Sequence, residues 1–202
     1  MCKIVISVNH VVKKFGKDTI LKDISMQVEC GKIYGVIGRN GSGKTVLFKC
    51  ICGLLQIDEG HIEVDRSQIG TIIEEPGFLK QYSGKRNLKF LATLSGKPCH
   101  NIDNVLSLVG LEANANKRVG KYSMGMKQRL GIAQAIMENQ NILILDEPMN
   151  GLDNHGVAEM RDLFIKLKKE GKTILLASHN REDIEILCDE VYEMDSGQIL
   201  CT

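Results

Sequence analysis

The sequence has no long apolar run. Its most apolar stretches, such as Ile142-Leu143-Ile144-Leu145, fall far short of the roughly 18–20 residues a helix needs to cross a bilayer. Any membrane role must therefore come through a partner. Net charge is also missing: 26 basic and 25 acidic side chains among 202 residues leave a formal +1, with no long single-sign tail. That balance gives no electrostatic footprint for nucleic acid, and none is expected as a partner. Met1–Val12 is not expected to be a secretory signal, because it carries Lys3, Asn9 and His10 and has no basic start, long apolar middle or small-residue cleavage site. The seven cysteines, at positions 2, 30, 50, 52, 99, 188 and 201, are odd in number. None are spaced as in a zinc knuckle or redox motif, and Cys50 and Cys52 are a single residue apart. They are expected to be reduced, small apolar fillers of a cytosolic protein. No internal repeat and no low-complexity segment is present.

What is there is an alternation of strand and helix patterns in a length that suits one domain with a large core. Lys3–Phe15 alternates through Ile4, Ile6, Val8 and Val11 and reads as a strand, turning at Gly16 to Asp18. Leu21–Glu29 is a second β stretch. Ile33-Tyr34-Gly35-Val36-Ile37 suits a buried parallel strand, and a helix from about Lys44 to Cys52 follows a Gly-rich loop, with Gly53 at its end. From Leu79 to about Glu138 the reading is mostly helix and loop. Leu88, Leu91, Ala92 and Ser95 have helical spacing, as do Val105, Leu108 and Val109. Met126, Leu130, Ala133 and Met137 mark one face of a helix starting near Ser123. Ile142–Leu145 and Thr173–Ala177 are further buried strands. Between them, Val157, Met160, Phe164 and Leu167 form a helix face closed by Gly171. Arg181–Cys188 is another helix, and Val191–Leu200 a hairpin around Ser196-Gly197. Alternating strands and helices predict an α/β fold with a mainly parallel sheet. Residues 1–78 and 139–202 are expected to form its core lobe, with 79–138 as an inserted helical subdomain.

Gly38-Arg39-Asn40-Gly41-Ser42-Gly43-Lys44-Thr45 matches G-x-x-x-x-G-K-[ST] in full. It lies between a predicted strand and a predicted helix, the context this phosphate loop requires. Backbone N–H groups of such a loop form an anion nest, and the helix that follows adds its positive end. Glycine lets the backbone close around phosphate. Lys44 would reach the β- and γ-phosphates and the Thr45 hydroxyl would hold Mg²⁺; Val46 completes the expected ATP-contacting stretch. A second feature is Asp146-Glu147, two carboxylates at the carboxyl end of a buried strand, where ligands of open α/β sheets sit. Asp146 suits Mg²⁺, directly or through water. Glu147 suits a base that polarises the attacking water.

Tyr122-Ser123-Met124-Gly125-Met126-Lys127-Gln128-Arg129 resembles the signature motif of ATP-binding cassette proteins, usually L-S-G-G-Q followed by Q-x-R. Ser123, Gly125, Gln128 and Arg129 are kept, and Met124 and Met126 depart from it. Ser123 is also a good helix N-cap. Further landmarks of that family follow in order: Phe15 where an aromatic stacks on adenine, Asn150-Gly151-Leu152-Asp153 where a loop crosses between paired subunits, and His179 where a histidine contacts the γ-phosphate. The resemblance covers essentially the whole chain. It implies a P-loop NTPase fold with an N-terminal antiparallel β subdomain and an inserted helical one. It implies ATP and Mg²⁺ as cofactor and ion, with Glu147 and His179 as catalytic residues. Two chains would pair head to tail, so that Ser123, Gly125 and Met126 of one close over the ATP of the other, and Asp153 lies in the pairing loop. A membrane-spanning permease on a separate chain would be the partner, and the chain would sit on the cytoplasmic face of the membrane.

A further position departs from the family. Ile69-Gly70-Thr71-Ile72-Ile73 is followed by Glu74 where a glutamine usually senses Mg²⁺ and water, with Glu75 and Pro76-Gly77-Phe78 after it. A carboxylate is a stronger Mg²⁺ ligand than an amide, so Glu74 is a further metal candidate. This stretch resembles ATPase subunits of bacterial exporters that protect against lantibiotics or bacitracin. Two other classes remain open: a soluble cassette ATPase acting on ribosomes or DNA, and a P-loop small-molecule kinase. One cassette and no sustained heptads favour transport over the first; Ser123 to Arg129 is not needed by the second. His10, His61, His100 and His155 read as surface residues, and Met124, Met126, Met137 and Met160 as packing.

Overall fold

The structure is a computed structural model that describes residues 3–74, 77–96 and 101–200. Cys2, Glu75, Pro76, Cys99, His100 and Cys201 lie outside the described residues. Among the described residues the chain forms a three-stranded antiparallel sheet and a six-stranded, mainly parallel one.

The antiparallel sheet is built from β1 (Ile4–Phe15), β2 (Asp18–Glu29) and β4 (Glu59–Val64), with β1 in the middle. The β1–β2 turn uses Gly16 at φ +59°, a left-handed conformation that costs glycine little. β2 begins at Asp18, three residues before the apolar pattern does, because pairing with Phe15 extends the hairpin beyond its buried part. The pairing of β1 slips between Val8 and Val11, where His10 and, across from it, Asp23 have positive φ. This bulge shifts the alternation so that Ile6, Val8 and Val11 are all buried.

The larger sheet has the order β5-β6-β7-β3-β8-β9. Its members are β3 (Ile33–Ile37), β5 (Ile69–Ile72), β6 (Ile142–Asp146), β7 (Thr173–Ser178), β8 (Glu190–Asp195) and β9 (Gln198–Leu200). All neighbours are parallel except the β8–β9 hairpin. That hairpin turns at Ser196 and Gly197, both at positive φ, as the right-handed twist of the strands demands. Every residue of β3 and β7 is buried, which explains their continuous apolar sequence: both faces are covered. Strand alternation divides their side chains. Ile33, Leu143, Leu145, Ile174 and Leu176 join one core cluster with the helices that follow Phe78. Tyr34, Val36, Ile144 and Leu175 join another with β1, β2 and α1 (Lys44–Ile51).

On the first face lie α2 (Gly84–Ser95), α3 (Ile102–Leu108), α4 (Met124–Ile136), α5 (Asn154–Lys169) and α6 (Arg181–Leu187). Leu88, Leu106, Val109 and Leu130 are fully buried where α2, α3 and α4 meet. Two strands, β4 and β5, have no counterpart in the periodicity. β4 is largely exposed, so its sequence carries no apolar alternation. β5 is four residues long and contains Gly70, whose Cβ would run into the Ala135 backbone carbonyl of α4. The strand lies so close to that helix that glycine is required, which erases the local β signal.

Cys30, Cys50, Cys52 and Cys188 are free thiols. Burial pushes the Cys52 and Cys188 thiols up to about 12, so both are protonated packing groups rather than nucleophiles. His10, His61 and His155 are exposed. Met137 and Met160 are buried.

Candidate functional site

The Gly-rich loop leaves the carboxyl end of β3 and turns into α1. Gly41 and Gly43 adopt φ +85° and +109°. A Cβ on Gly38 would strike the Met194 carbonyl, so only glycine allows the loop to pass over β8 there. Ser42 is buried, and its Oγ has no hydrogen-bond partner. The Lys44 ammonium is almost fully buried. It donates to the carbonyls of Gly38 at 2.6 Å and Arg39 at 3.3 Å, so it lies across its own loop.

β6 brings the carboxylates to this loop. The Thr45 hydroxyl donates to Asp146 Oδ2 at 2.6 Å. Asp146 Oδ1 is buried with no hydrogen-bond partner. Burial raises the Asp146 pKa first of all; the Thr45 hydroxyl opposes the rise, Glu147 adds to it, and Lys44 and Lys49 oppose it. Glu147 has φ +49°, a strained conformation for a side-chain-bearing residue. Its N–H is held by the Ala177 carbonyl of β7 at 3.0 Å. Its Oε1 lies 3.6 Å from Lys44 Nζ. Its Oε2 lies 2.8 Å from Nδ1 of His179, just beyond the end of β7. Three neighbouring strand ends thus carry Lys44, Thr45, Asp146, Glu147 and His179 to one place.

A cleft of about 660 Å³ opens on these groups. Asn40, Gly41, Gly43, Lys44, Asp146 and Glu147 line its polar end. Phe15, Ile20 and Val46 line it as well and give it an apolar wall. Gly38 and Ser42 are not on the cleft wall; they shape the loop from behind. Backbone amides, an ammonium and a helix start on one side, with an apolar wall beside them, suit a polyphosphate joined to a flat base.

An adjoining cleft of about 360 Å³ shares Asp146 and Glu147 and is lined across from them by Glu74, Met124, Gln128 and Asn150. Glu74, at φ +65°, is ion-paired with Lys49 of α1 at 2.5 Å. Thr45 and Asp146 meet as hard oxygen donors that fit Mg²⁺, and the unpartnered Oδ1 of Asp146 is the atom such an ion would satisfy, while Glu74 stands across the adjoining cleft with its carboxylate on Lys49. No three His, Cys, Asp or Glu side chains converge into a protein-only metal cage among the described residues, so phosphate oxygens and water would have to complete the shell.

Ser123, Gly125 and Met126 lie elsewhere. They share a third cleft, of about 410 Å³, with Asp153 and Arg129. Ser123 N-caps α4, its Oγ accepting from the Met126 N–H at 3.2 Å. Asp153 N-caps α5, accepting from Gly156 at 2.8 Å. Neither Ser123 nor Asp153 lines the cleft formed by Phe15, Lys44 and Glu147 of its own chain. Ile20 and Lys49 belong to the site without a motif to announce them. Ile20 follows the β1–β2 turn and faces the cleft only because the hairpin folds over α1; Lys49 carried one signal, its spacing of one helical turn from Thr45.

Comparisons with known proteins show the family of the chain. Residues 21–150 match the ABC transporter family. The chain is 43% identical over 205 residues to the ABC transporter ATP-binding protein YybJ of Bacillus subtilis, covering 96% of this chain and 94% of that one. It is 40% identical to the bacitracin transport ATP-binding protein BcrA of Enterococcus faecalis, over 97% of this chain and 68% of the relative. It is 39% identical to the lantibiotic transport ATP-binding protein SrtF of Streptococcus pyogenes, over 96% and 89%. Among solved structures, cbiO1 of Clostridium perfringens, part of the ABC transporter complex cbiONQ, superposes with a TM-score of 0.89 at 28% identity, covering 98% of this chain and 87% of that one.

Proposed function

The chain belongs to the ABC transporter family, as an ATP-binding subunit that hydrolyses ATP for transport, and from that premise we propose how its residues divide the work. The observation that carries the proposal is the meeting of Lys44, Thr45, Asp146, Glu147 and His179 at three adjacent strand ends. When ATP enters, Lys44 exchanges the Gly38 and Arg39 carbonyls for the β- and γ-phosphates. Asn40 to Thr45 offer their amides to the same oxygens, and Phe15 stacks on adenine while Ile20 and Val46 cover its edge. Thr45, Asp146 and Glu74 would hold Mg²⁺ together with the phosphates, and the ion would neutralise charge on the γ-phosphoryl group. Glu147 orients the attacking water and accepts its proton; His179, fixed by Glu147, contacts the γ-phosphate. A positioned base contributes roughly 10²–10⁴ in rate.

Ser123, Gly125 and Met126 do not face their own chain's nucleotide cleft, which supports a pair of chains arranged head to tail, with Asp153 between them. A permease on a separate chain would carry the cargo; the solved relative cbiO1 is part of the transporter complex cbiONQ, and no helix among the described residues of this chain is long and apolar enough to cross a membrane. The ATPase would work at the inner face of the membrane, and the relatives named for bacitracin and lantibiotic transport support a peptide-antibiotic exporter.

The test is Glu147→Gln with ATP, followed by size-exclusion chromatography with light scattering. A stable ATP-dependent dimer with little turnover is expected. A monomer that transfers phosphate to a small acceptor would replace the transporter reading with a kinase. For the cargo, cells expressing the chain with its permease should lose bacitracin or lantibiotic tolerance when Glu147→Gln is introduced. Unchanged tolerance to both would exclude that cargo class.

A further inference from the structure

Phe15 is about half exposed, at 46%, and sits at the last position of β1 on the wall of the nucleotide cleft. A phenyl ring that exposed is only partly held by packing. Lys13, two residues earlier, points to the same side of the strand. Its Nζ stands 5.2 Å from the centre of the Phe15 ring. The Lys13 side chain is only 12% exposed, and Lys13 is not among the residues lining the cleft. The ammonium therefore stands by the ring without itself forming part of the cleft wall.

The ammonium is itself anchored. It pairs with Asp58 Oδ2 at 3.1 Å, and the same oxygen accepts the Lys14 backbone N–H at 2.6 Å. Asp58 precedes β4, the strand paired with the other edge of β1, and its own N–H is held by the Val12 carbonyl at 2.9 Å. Asp58, Lys13 and Phe15 form a chain of contacts from a rigid strand junction to a half-exposed ring.

We propose that Lys13 is a positioning residue for the nucleobase: it fixes the Phe15 ring and places a cation behind it, so that the free face presents a preorganised platform for an adenine ring. This rests on the reading of Phe15 as the adenine-stacking residue. The physical reason is twofold. A ring already held in its bound orientation loses less freedom when the base arrives. A cation on one face of the ring also draws π density toward itself, which favours an electron-rich purine on the other.

The test measures equilibrium affinity of the whole chain for ATP and for tripolyphosphate, which has the phosphates but no base. Lys13→Met should weaken ATP about twofold to fivefold, the size expected for a cation over an aromatic ring, and leave tripolyphosphate unchanged. Lys13→Arg should restore ATP affinity, because its guanidinium also stacks on the ring. In a Phe15→Ala background, Lys13→Met should cause no further loss. Asp58→Asn frees the ammonium while leaving Lys13 in place, and should give a smaller loss, again confined to ATP; it remains informative if Lys13→Met does not fold. Equal losses for ATP and tripolyphosphate, or an undiminished effect of Lys13→Met without Phe15, would overturn the proposal. If Phe15→Ala weakens ATP but Lys13→Met does not, Lys13 alone is removed from the site. If Phe15→Ala leaves ATP affinity unchanged, the stacking role of Phe15 falls and Lys13 falls with it.

Discussion

Burial leaves Asp146 with an ionisation cost that the nucleotide-free protein must bear. Its pKa lies above the ordinary value of 3.8, so the folded state holds the proton more tightly than the unfolded chain does. The cost is absent below the unfolded pKa and complete above the folded one. Asp146→Asn keeps an acceptor for the Thr45 hydroxyl and removes that cost. The nucleotide-free variant should therefore melt higher than the parent at pH 7, with the gap shrinking as the pH falls toward the unfolded pKa. Thermal unfolding at several pH values checks this; a parent that melts higher at pH 7 would contradict the sign. The same substitution should remove most Mg²⁺-dependent stabilisation by ATP, since an amide is the weaker ligand. Lys44 holds only carbonyls of its own loop and one distant carboxylate oxygen. Lys44→Ala should lower ATP affinity by about a hundredfold or more, the scale for removing one partner of a buried charged contact, as read by calorimetry. At this scale the phosphate loop and the two carboxylates were legible from residue types and order. The hydrogen bond between Glu147 and His179 and the Lys49–Glu74 pair were not, because each joins residues distant in sequence.

Helix caps and strand packing decide which elements hold their place. Ser123 has two duties, one local and one proposed across a dimer. Ser123→Ala removes the cap of α4 and should cost about 1 kcal/mol, seen as a drop of a few degrees in melting temperature. Ser123→Asp should recover the melting temperature while hydrolysis stays low, which separates the cap from the nucleotide contact. Gly70 holds β5 against α4, where a side chain would collide with the Ala135 carbonyl. Gly70→Val should destabilise by about 2 kcal/mol or more, the range for overpacking, measurable by urea unfolding. β3, β6 and β7 were legible as strands because burial on both faces makes their sequence uniformly apolar. β4 was hidden by exposure and β5 by its glycine.

The whole molecule places the cleft proposed for the nucleotide where the antiparallel sheet and α1 meet the ends of the parallel strands. Binding there should stabilise the folded chain by mass action, by about 2.7 kcal/mol when ATP is at a hundred times its dissociation constant. The melting temperature should rise with ATP concentration in the parent and stay flat in Lys44→Ala; a rise in both would place the binding elsewhere. The order of motifs along the chain determined by itself that this is a cassette ATPase, because a phosphate loop, a signature segment, an acidic strand end and a histidine need only local sequence to be recognised. Tertiary structure alone decided which of them meet. Parallel pairing of β6 with β7, and of β7 with β3, sets Glu147 between Lys44 and His179, while Ser123 and Asp153 come together in a cleft of their own. Strand order in a parallel sheet is set by crossovers that bury helices on both faces, and no short stretch of sequence encodes it.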